Sequence, residues 1–217
     1  NFLFIDNKKT MEQVENLKDT TCNTASIMGT YYAGFNLLSN SIYTQNKELR
    51  IALNHAINKQ RLIDALLGPL ALESKGPFPP KIINDTTLSG YPYNPKLARE
   101  LIAKNKQGMN NEKLKVLFRE DASTILFSKI TNYIIEDLKA VGIECTLVNV
   151  SSANYLTTSS IAKCDLYVSR WIADTGDPDN FLQPMFAPGL ESNRSNYSNE
   201  MVNHKLIQAK EIINPNT

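Results

Sequence analysis

The chain has 217 residues, of which 21% are charged, and its formal net charge is +1. That length is enough to bury a sizeable core in one large domain or two small ones. The near-neutral balance argues against a nucleic-acid binder, which needs a clustered basic surface. Three cysteines cannot make a complete disulfide framework, and two histidines leave few ligands for a zinc site. We therefore expect a folded domain that binds neither nucleic acid nor metal.

No apolar run approaches the roughly 18 residues that a membrane helix needs. The first residues resemble neither a signal peptide nor an initiator methionine, and the last ones follow a helical pattern with no folded element behind them. We therefore expect the sequence to be a piece of a larger protein.

The first third of the chain predicts helices on both sides of an aromatic strand. Within the polar residues 1–30, one short amphipathic helix is indicated by helical spacing of Met11, Val14 and Leu17. Residues 31–36 predict a strand, with Gly34 marking a bulge or a close backbone approach. One helix face is then formed by Leu49, Ala52, Leu53 and Ala56. Asn58 is typical of the N-cap of a further helix that ends at Leu67.

The middle of the chain predicts a loop, a helix and a turn. Residues 73–80 carry a proline-rich run that favours an extended loop. Asn94 and Pro95 suit the N-cap and first position of a helix. The Asn- and Lys-rich run 104–112 is interpreted as a solvated turn.

The following segment alternates strands and helices. In chain order, the predicted ranges are 114–118 (strand), 122–140 (helix), 143–150 (strand), 155–162 (helix) and 165–171 (strand). This order implies parallel pairing, with the first strand between the other two. Glu120 and Asp121 are expected to cap the long helix, and Gly142 to follow its C-terminus. Cys145 and Cys164 then lie too far apart to bridge, so we expect three free thiols.

The densest polar constellation lies just after the last predicted strand. It begins with Arg170 and Trp171, the only tryptophan, and continues with three carboxylates within six residues: Asp174, Asp177 and Asp179. Ligands of open α/β sheets bind at this edge, where a carboxylate can hold an ammonium, a guanidinium or a hard cation. The same residues are also typical of an ordinary turn before a helix. Both interpretations stay open on the residues alone.

Enzyme signatures are missing from the sequence. It has no Gly-x-Ser-x-Gly elbow, no Gly-x-Gly-x-x-Gly and no P-loop. His55 and His204 lie on predicted helices with no nucleophile near them, so ordinary helical positions are favoured over a catalytic base. We expect no catalytic residue, no cofactor and no enzymatic activity.

Five segments in series resemble the family 5 extracellular solute-binding proteins, the peptide-binding components of ABC importers. The resemblance covers about residues 30–213 and rests on YAGFN at 32–36, LRIALNHAINK at 49–59, YPYNPKLAREL at 91–101, WIADTGDPDNF at 171–181 and NRSNYSN at 193–199. It implies an α/β fold, a type II periplasmic-binding-protein-like lobe with a small, mostly parallel sheet flanked by helices. Residues 1–30 would be the remnant of a first lobe, 31–36 the interlobe crossover, and 37–217 the second lobe.

The resemblance also implies a ligand and partners. In peptide-binding members, the carboxylate at the position of Asp174 holds the α-ammonium of the peptide, and Trp171 would pack on the ligand backbone. Arg170, Tyr32 and Asn36 are the further expected ligand contacts. The implied protein is a monomer outside the cytoplasmic membrane, in the periplasm or lipid-anchored, that delivers short peptides to the membrane permease subunits of an ABC importer.

Three alternatives remain. The same fold can serve as the ligand sensor of a transcriptional regulator, and some members carry nickel, haem or other small ligands. A hydrolase using the paired carboxylates Asp174 and Asp177 is the third, although no partner base is visible. The three cysteines fit export badly, because exported proteins usually have few free thiols.

Overall fold

The computed structural model describes residues 5, 7–23, 25–82, 87–120 and 125–211. The expectations for Asp121 and for the start of its helix at residues 122–124 lie outside these residues. Four strands are described: β1 (Gly29–Phe35), β2 (Leu114–Arg119), β3 (Cys145–Val150) and β4 (Leu166–Ile172). The helices of the described residues are α1 (Lys8–Glu15), α2 (Ile42–Gln45), α3 (Lys47–Ala56), α4 (Lys59–Leu66), α5 (Pro95–Met109), α6 (Ile125–Ala140), α7 (Thr158–Ile161), α8 (Asp179–Phe186) and α9 (Glu200–Glu211).

The strands form one sheet in the order β1-β4-β2-β3. β2 runs parallel to both β3 and β4, whereas β1 is antiparallel to β4 along its whole length. The predicted α/β class and the central place of the strand at 114–118 are therefore confirmed. The three parallel strands direct their carboxyl ends to one edge of the sheet, and that edge is where the polar constellation follows β4.

The larger core lies on the face of the sheet that α3, α5 and α6 cover. The predicted face of α3 is confirmed, because Leu49, Ala52, Leu53 and Ala56 are each at most 1% exposed. From the sheet, Val116, Leu166 and Val168 join this core. Alternate strand residues point to the same face, so these positions define one side of the sheet.

The opposite face carries a smaller core, formed by Leu117, Ile161, Cys164 and Tyr167. Gly34 lies against it, since a Cβ at Gly34 would be 2.4 Å from Cζ of Tyr167. Of the two alternatives at Gly34, the structure therefore shows the close approach. Tyr32 packs edge-to-face on Tyr167, with ring centroids 6.2 Å apart.

The predicted helix ends are confirmed where side chains cap them. Asn58 Oδ1 accepts from the backbone N–H of Arg61 at 2.9 Å, at the start of α4. Asn94 Oδ1 accepts from the N–H of Leu97 at 3.0 Å, at the start of α5. Gly142 follows α6 with φ of +90°, a left-handed conformation that favours glycine.

The solvated turn expected at 104–112 is wrong, because α5 continues to Met109, which is buried. Contacts with α3 support this extension. Lys104 Nζ lies 2.6 Å from Glu48 Oε1, and Asn105 Nδ2 donates to Glu48 Oε2 at 3.0 Å. The helix ends at Asn110, which has a left-handed φ of +44°. The helix expected at 155–162 is also shorter than predicted, being only α7.

The three thiols are free. Cys22 is exposed, Cys145 is half-buried on β3, and Cys164 is buried before β4. Burial raises the pKa of Cys145 to about 11 and that of Cys164 to about 12. Both inner cysteines therefore stay protonated at neutral pH and behave as small apolar side chains.

Candidate ligand site

The residues singled out from the sequence lie at the end of the sheet where the parallel strands β2, β3 and β4 have their C-termini, called here the carboxyl edge. β4 carries Arg170 and Trp171 to this edge on opposite faces of the sheet, because successive strand residues alternate. Asp174 follows two residues after the strand ends. Three of the five expected ligand contacts are thus held within one short segment.

The segment after β4 is a turn that holds Trp171 and the backbone of Asp174. Trp171 Nε1 donates to the carbonyl oxygen of Asn180 at 2.7 Å. The N–H of Asp174 donates to Oδ1 of the same asparagine at 3.3 Å. Asp177 Oδ1 accepts from the N–H of Asp179 at 2.8 Å, which shapes the entry to α8. The Asp177 carboxylate therefore bonds within the turn, whereas the Asp179 carboxylate lies 3.9 Å from Lys210 Nζ of α9. The Asp174 side chain makes no bond in the turn.

The Asp174 side chain is exposed, and within the described part of the chain its carboxylate has no hydrogen-bond or ion-pair partner. It is therefore an anchored backbone position that presents a free anion at the sheet edge. A carboxylate in this state can accept from an ammonium group of a ligand.

Arg170 and Tyr32 lie on opposite faces of the sheet. The guanidinium of Arg170 lies over the ring of Tyr31, 5.7 Å from its centroid, and Nη1 donates to the Tyr31 hydroxyl at 3.4 Å. Tyr32 pairs with Ser169 and shares the face of Trp171. Arg170 is exposed and Tyr32 is half-buried, so both can still be contacted from outside the lobe.

Asn36 does not join this group. β1 is antiparallel to β4, so its final residue Phe35 pairs with Leu166 at the opposite edge of the sheet. Asn36 is 2% exposed, and its Nδ2 donates to the carbonyl oxygens of Ile161 at 2.9 Å and Cys164 at 3.1 Å. These bonds give the side chain a structural role, and we leave it out of the ligand contacts proposed below.

Arg119 is a residue at the same edge that the sequence reasoning missed. Its Nε donates to Ser152 Oγ at 2.7 Å, and its guanidinium lies 5.5 Å from the ring centroid of Tyr155 and 5.9 Å from that of Phe127. Burial raises the pKa of Tyr155 to about 12, so its hydroxyl stays protonated and donates to the Val168 carbonyl. Arg119 directly follows the strand predicted at 114–118, the central one of the three, and this position was the sequence signal that could have identified it.

The described residues contain no cluster of three or more His, Cys, Asp or Glu arranged to hold a metal ion. Within the same residues, no helix combines the length and the apolar character needed to cross a bilayer. At the carboxyl ends of β2 and β4, the candidate site brings together the Trp171 ring, the exposed carboxylate of Asp174, and the two arginines Arg119 and Arg170.

In open α/β sheets, ligands bind in the crevice beyond the carboxyl ends of the strands. The chain belongs to the bacterial extracellular solute-binding proteins of family 5, whose family model, described as the middle part of the family, matches residues 2–193. The recognition made from the five sequence segments is confirmed.

Among curated relatives, the chain is 28% identical over 171 residues to heme-binding protein A of Haemophilus influenzae. It is 29% identical over 164 residues to di/tripeptide-binding protein 4 of Pseudomonas aeruginosa. These matches cover 76% and 72% of the chain but only 31% and 30% of the relatives. The chain thus spans about a third of the length of the curated relatives that it matches.

Solved structures agree on the fold. A periplasmic binding protein, DppA, from Helicobacter pylori in complex with the peptide STSA superimposes with a TM-score of 0.81 at 24% identity. NikA from Staphylococcus aureus in complex with Ni(L-His)2 gives 0.79 at 20% identity. Both matches cover 96% of this chain, and 40% and 44% of those chains. They establish the type II binding-protein fold of the lobe.

Proposed function

We propose that the chain is the second lobe of a peptide-binding component of an ABC importer, and that Asp174 binds the α-ammonium of the peptide. The observation that carries this proposal is the free carboxylate of Asp174, held at the carboxyl edge of the sheet beside Trp171. Supporting it, one relative is named as a di/tripeptide-binding protein and one structural neighbour holds a peptide.

The physical reason is the strength of a charge-assisted hydrogen bond away from water. On this lobe the carboxylate faces solvent, where a single ion pair contributes little. Covered by the first lobe, the same carboxylate and a ligand ammonium would attract each other in a medium of lower dielectric constant. The Trp171 ring, fixed by its bond to Asn180, would lie against the ligand backbone. Arg170 and Tyr32 would contact the ligand on either side of this ring.

We propose the domain organisation that the resemblance implies, with one boundary moved. Residues 1–28 would belong to the first lobe, 29–36 to the crossover and 37–217 to the second lobe, because Gly29 and Thr30, expected in the first lobe, pair with β4. Because β1 pairs with β4 from Gly29 to Phe35, the crossover residues move with this lobe. We therefore place the hinge of lobe closure before Gly29. The protein would act outside the cytoplasmic membrane as a monomer without enzymatic activity, delivering its ligand to the permease subunits.

Isothermal titration of the two-lobed protein with short peptides tests this function. We expect saturable binding of di- to tetrapeptides and strongly reduced binding by the Asp174→Ala variant, because the ammonium loses its partner. Haem and Ni(L-His)2 are titrated in parallel. Binding of either with no peptide binding, or peptide binding unchanged by Asp174→Ala, would contradict the proposal.

A further inference from the structure

Arg170 brings a positive charge to the carboxyl edge, four residues before Asp174. Its side chain is exposed, and within the described residues its guanidinium forms no ion pair. The intervening chain keeps the Cα atoms of the two residues within about 14 Å of each other. Two opposite charges therefore lie at one edge of the sheet without neutralising each other. A ligand that carries both an ammonium and an anionic group can satisfy both side chains at once.

The guanidinium of Arg170 is held on an aromatic platform. It lies 5.7 Å from the ring centroid of Tyr31, and Nη1 donates to the Tyr31 hydroxyl at 3.4 Å. The Tyr31 ring packs edge-to-face on Phe127 of α6, with ring centroids 5.7 Å apart, and both rings pack against the larger core. The long side chain of Arg170 thus has a preferred position before any ligand binds, which lowers the entropy cost of binding a ligand there.

The platform leaves most of the hydrogen-bonding capacity of Arg170 unused. A guanidinium has five N–H donors in a planar fork, and among the described residues its one side-chain hydrogen bond is to Tyr31. Two parallel N–H groups of such a fork match the two oxygens of a carboxylate. The group that this position recognises best is therefore a carboxylate.

The place of Arg170 on the sheet indicates which carboxylate of a peptide it would meet. Trp171, on which the ligand backbone would lie, shares its face of the sheet with Tyr32 and the smaller core. Arg170 pairs with Tyr31 and points to the face that α6 covers. The α-carboxylate of a peptide continues the line of its backbone, whereas side chains leave that line sideways. A carboxylate that reaches across to Arg170 therefore belongs to a side chain.

We propose that the site selects acidic peptides, with Arg170 binding the carboxylate of an aspartate or glutamate side chain while Asp174 binds the α-ammonium. This inference rests on the proposed peptide-binding function and adds the class of peptide. Trp171, which lies between the two charged residues in the chain, would hold the backbone from which both ligand groups extend. A peptide with a neutral side chain would leave the guanidinium without an anion inside the closed cleft, and would bind more weakly.

Tripeptides with one acidic residue, titrated calorimetrically into the two-lobed protein, test this class. Aspartate is placed at the first, second or third position of trialanine, and each peptide is compared with its asparagine counterpart, which has nearly the same shape without the charge. We expect the aspartate peptide to bind about tenfold more tightly at one position, with little difference at the other two. This comparison on the unmodified protein decides the proposal even if a variant fails to fold.

The variant Arg170→Gln removes the charge that makes this selection. The preference for aspartate should fall to about twofold or less, while the affinity for the asparagine peptide stays unchanged. Arg170→Lys should retain part of the preference, because it keeps the charge but loses the planar fork. Arg99→Gln, which removes an exposed arginine of α5 outside the site, is the matched control and should retain the whole preference.

Two results would overturn this inference alone. Equal affinity for the aspartate and asparagine peptides at all three positions is expected if a carboxylate of the first lobe pairs with Arg170. An equal loss of both peptides in the Arg170→Gln variant would mean that the residue binds the α-carboxylate. In both cases the proposed function stands as long as Asp174→Ala still weakens peptide binding strongly. Absence of binding by every peptide would overturn the proposed function and this inference together.

Discussion

At the residue scale, two aspartates near the ends of β4 have opposite environments. Asp165, which precedes β4, is 1% exposed and accepts from Ser39 Oγ at 2.5 Å and from the N–H of Lys115 at 2.8 Å. Asp174, after β4, is exposed and has no partner among the described residues. A buried, bonded carboxylate supports the fold, whereas an exposed, unpaired one is available to a ligand. The sequence reasoning singled out only the second.

This contrast predicts different effects on stability. Asp165→Ala should lower the free energy of unfolding by about 2–4 kcal/mol, because Ser39 and Lys115 lose their acceptor inside the protein. Asp174→Ala should leave it unchanged within error. Urea denaturation of the 217-residue chain, followed by circular dichroism, measures both variants. Equal destabilisation by the two would mean that Asp174 also supports the fold.

At the element scale, local signals predicted the helix ends and the strands well. Asn58, Asn94 and Gly142 cap helices because their side chains or left-handed backbone satisfy end groups, and such effects need no distant partner. The end of α5 could not be predicted in this way. Its last turns pair with Glu48 on α3, so the Asn- and Lys-rich composition, which suggested a turn, is overridden by a tertiary contact.

In the candidate site, too, the sequence predicted the residues that are neighbours along the chain but not those brought close by the tertiary fold. Arg170, Trp171 and Asp174 lie on one short segment, so their proximity follows from the chain itself. Asn36 was misplaced because only the antiparallel direction of β1 decides which sheet edge it reaches. Arg119 was missed because its contacts come from α6 and from the segment after β3, which no local pattern reveals.

The contact between β1 and β4 can be tested by one added methyl group. Gly34→Ala should lower the free energy of unfolding by about 1–3 kcal/mol, because the new Cβ would overlap the Tyr167 ring. Gly76→Ala is the matched control, since there a Cβ comes no closer than 3.7 Å to the Phe78 ring and 3.9 Å to Leu88, which are ordinary contacts. Thermal unfolding of both variants provides the comparison. A Gly34 variant as stable as the control would contradict the described packing.

At the scale of the whole molecule, the folded unit is smaller than the proteins that the chain resembles. These residues form an α/β lobe with cores on both faces of its sheet, yet they span about a third of the matched relatives. In the proposed protein the ligand would be enclosed between two lobes, and half of that cleft leaves Asp174 in water. We expect the 217-residue chain alone to bind peptides at this edge weakly or not at all.

The central claim is that Asp174 recognises a ligand ammonium, and a double-mutant cycle tests it most directly. Peptide and N-acetylated peptide are titrated calorimetrically into the two-lobed protein and its Asp174→Asn variant. We predict that acetylation weakens binding to the unmodified protein much more than binding to the variant, with a coupling of about 1.5–3 kcal/mol. An equal loss on acetylation in both proteins would contradict the account.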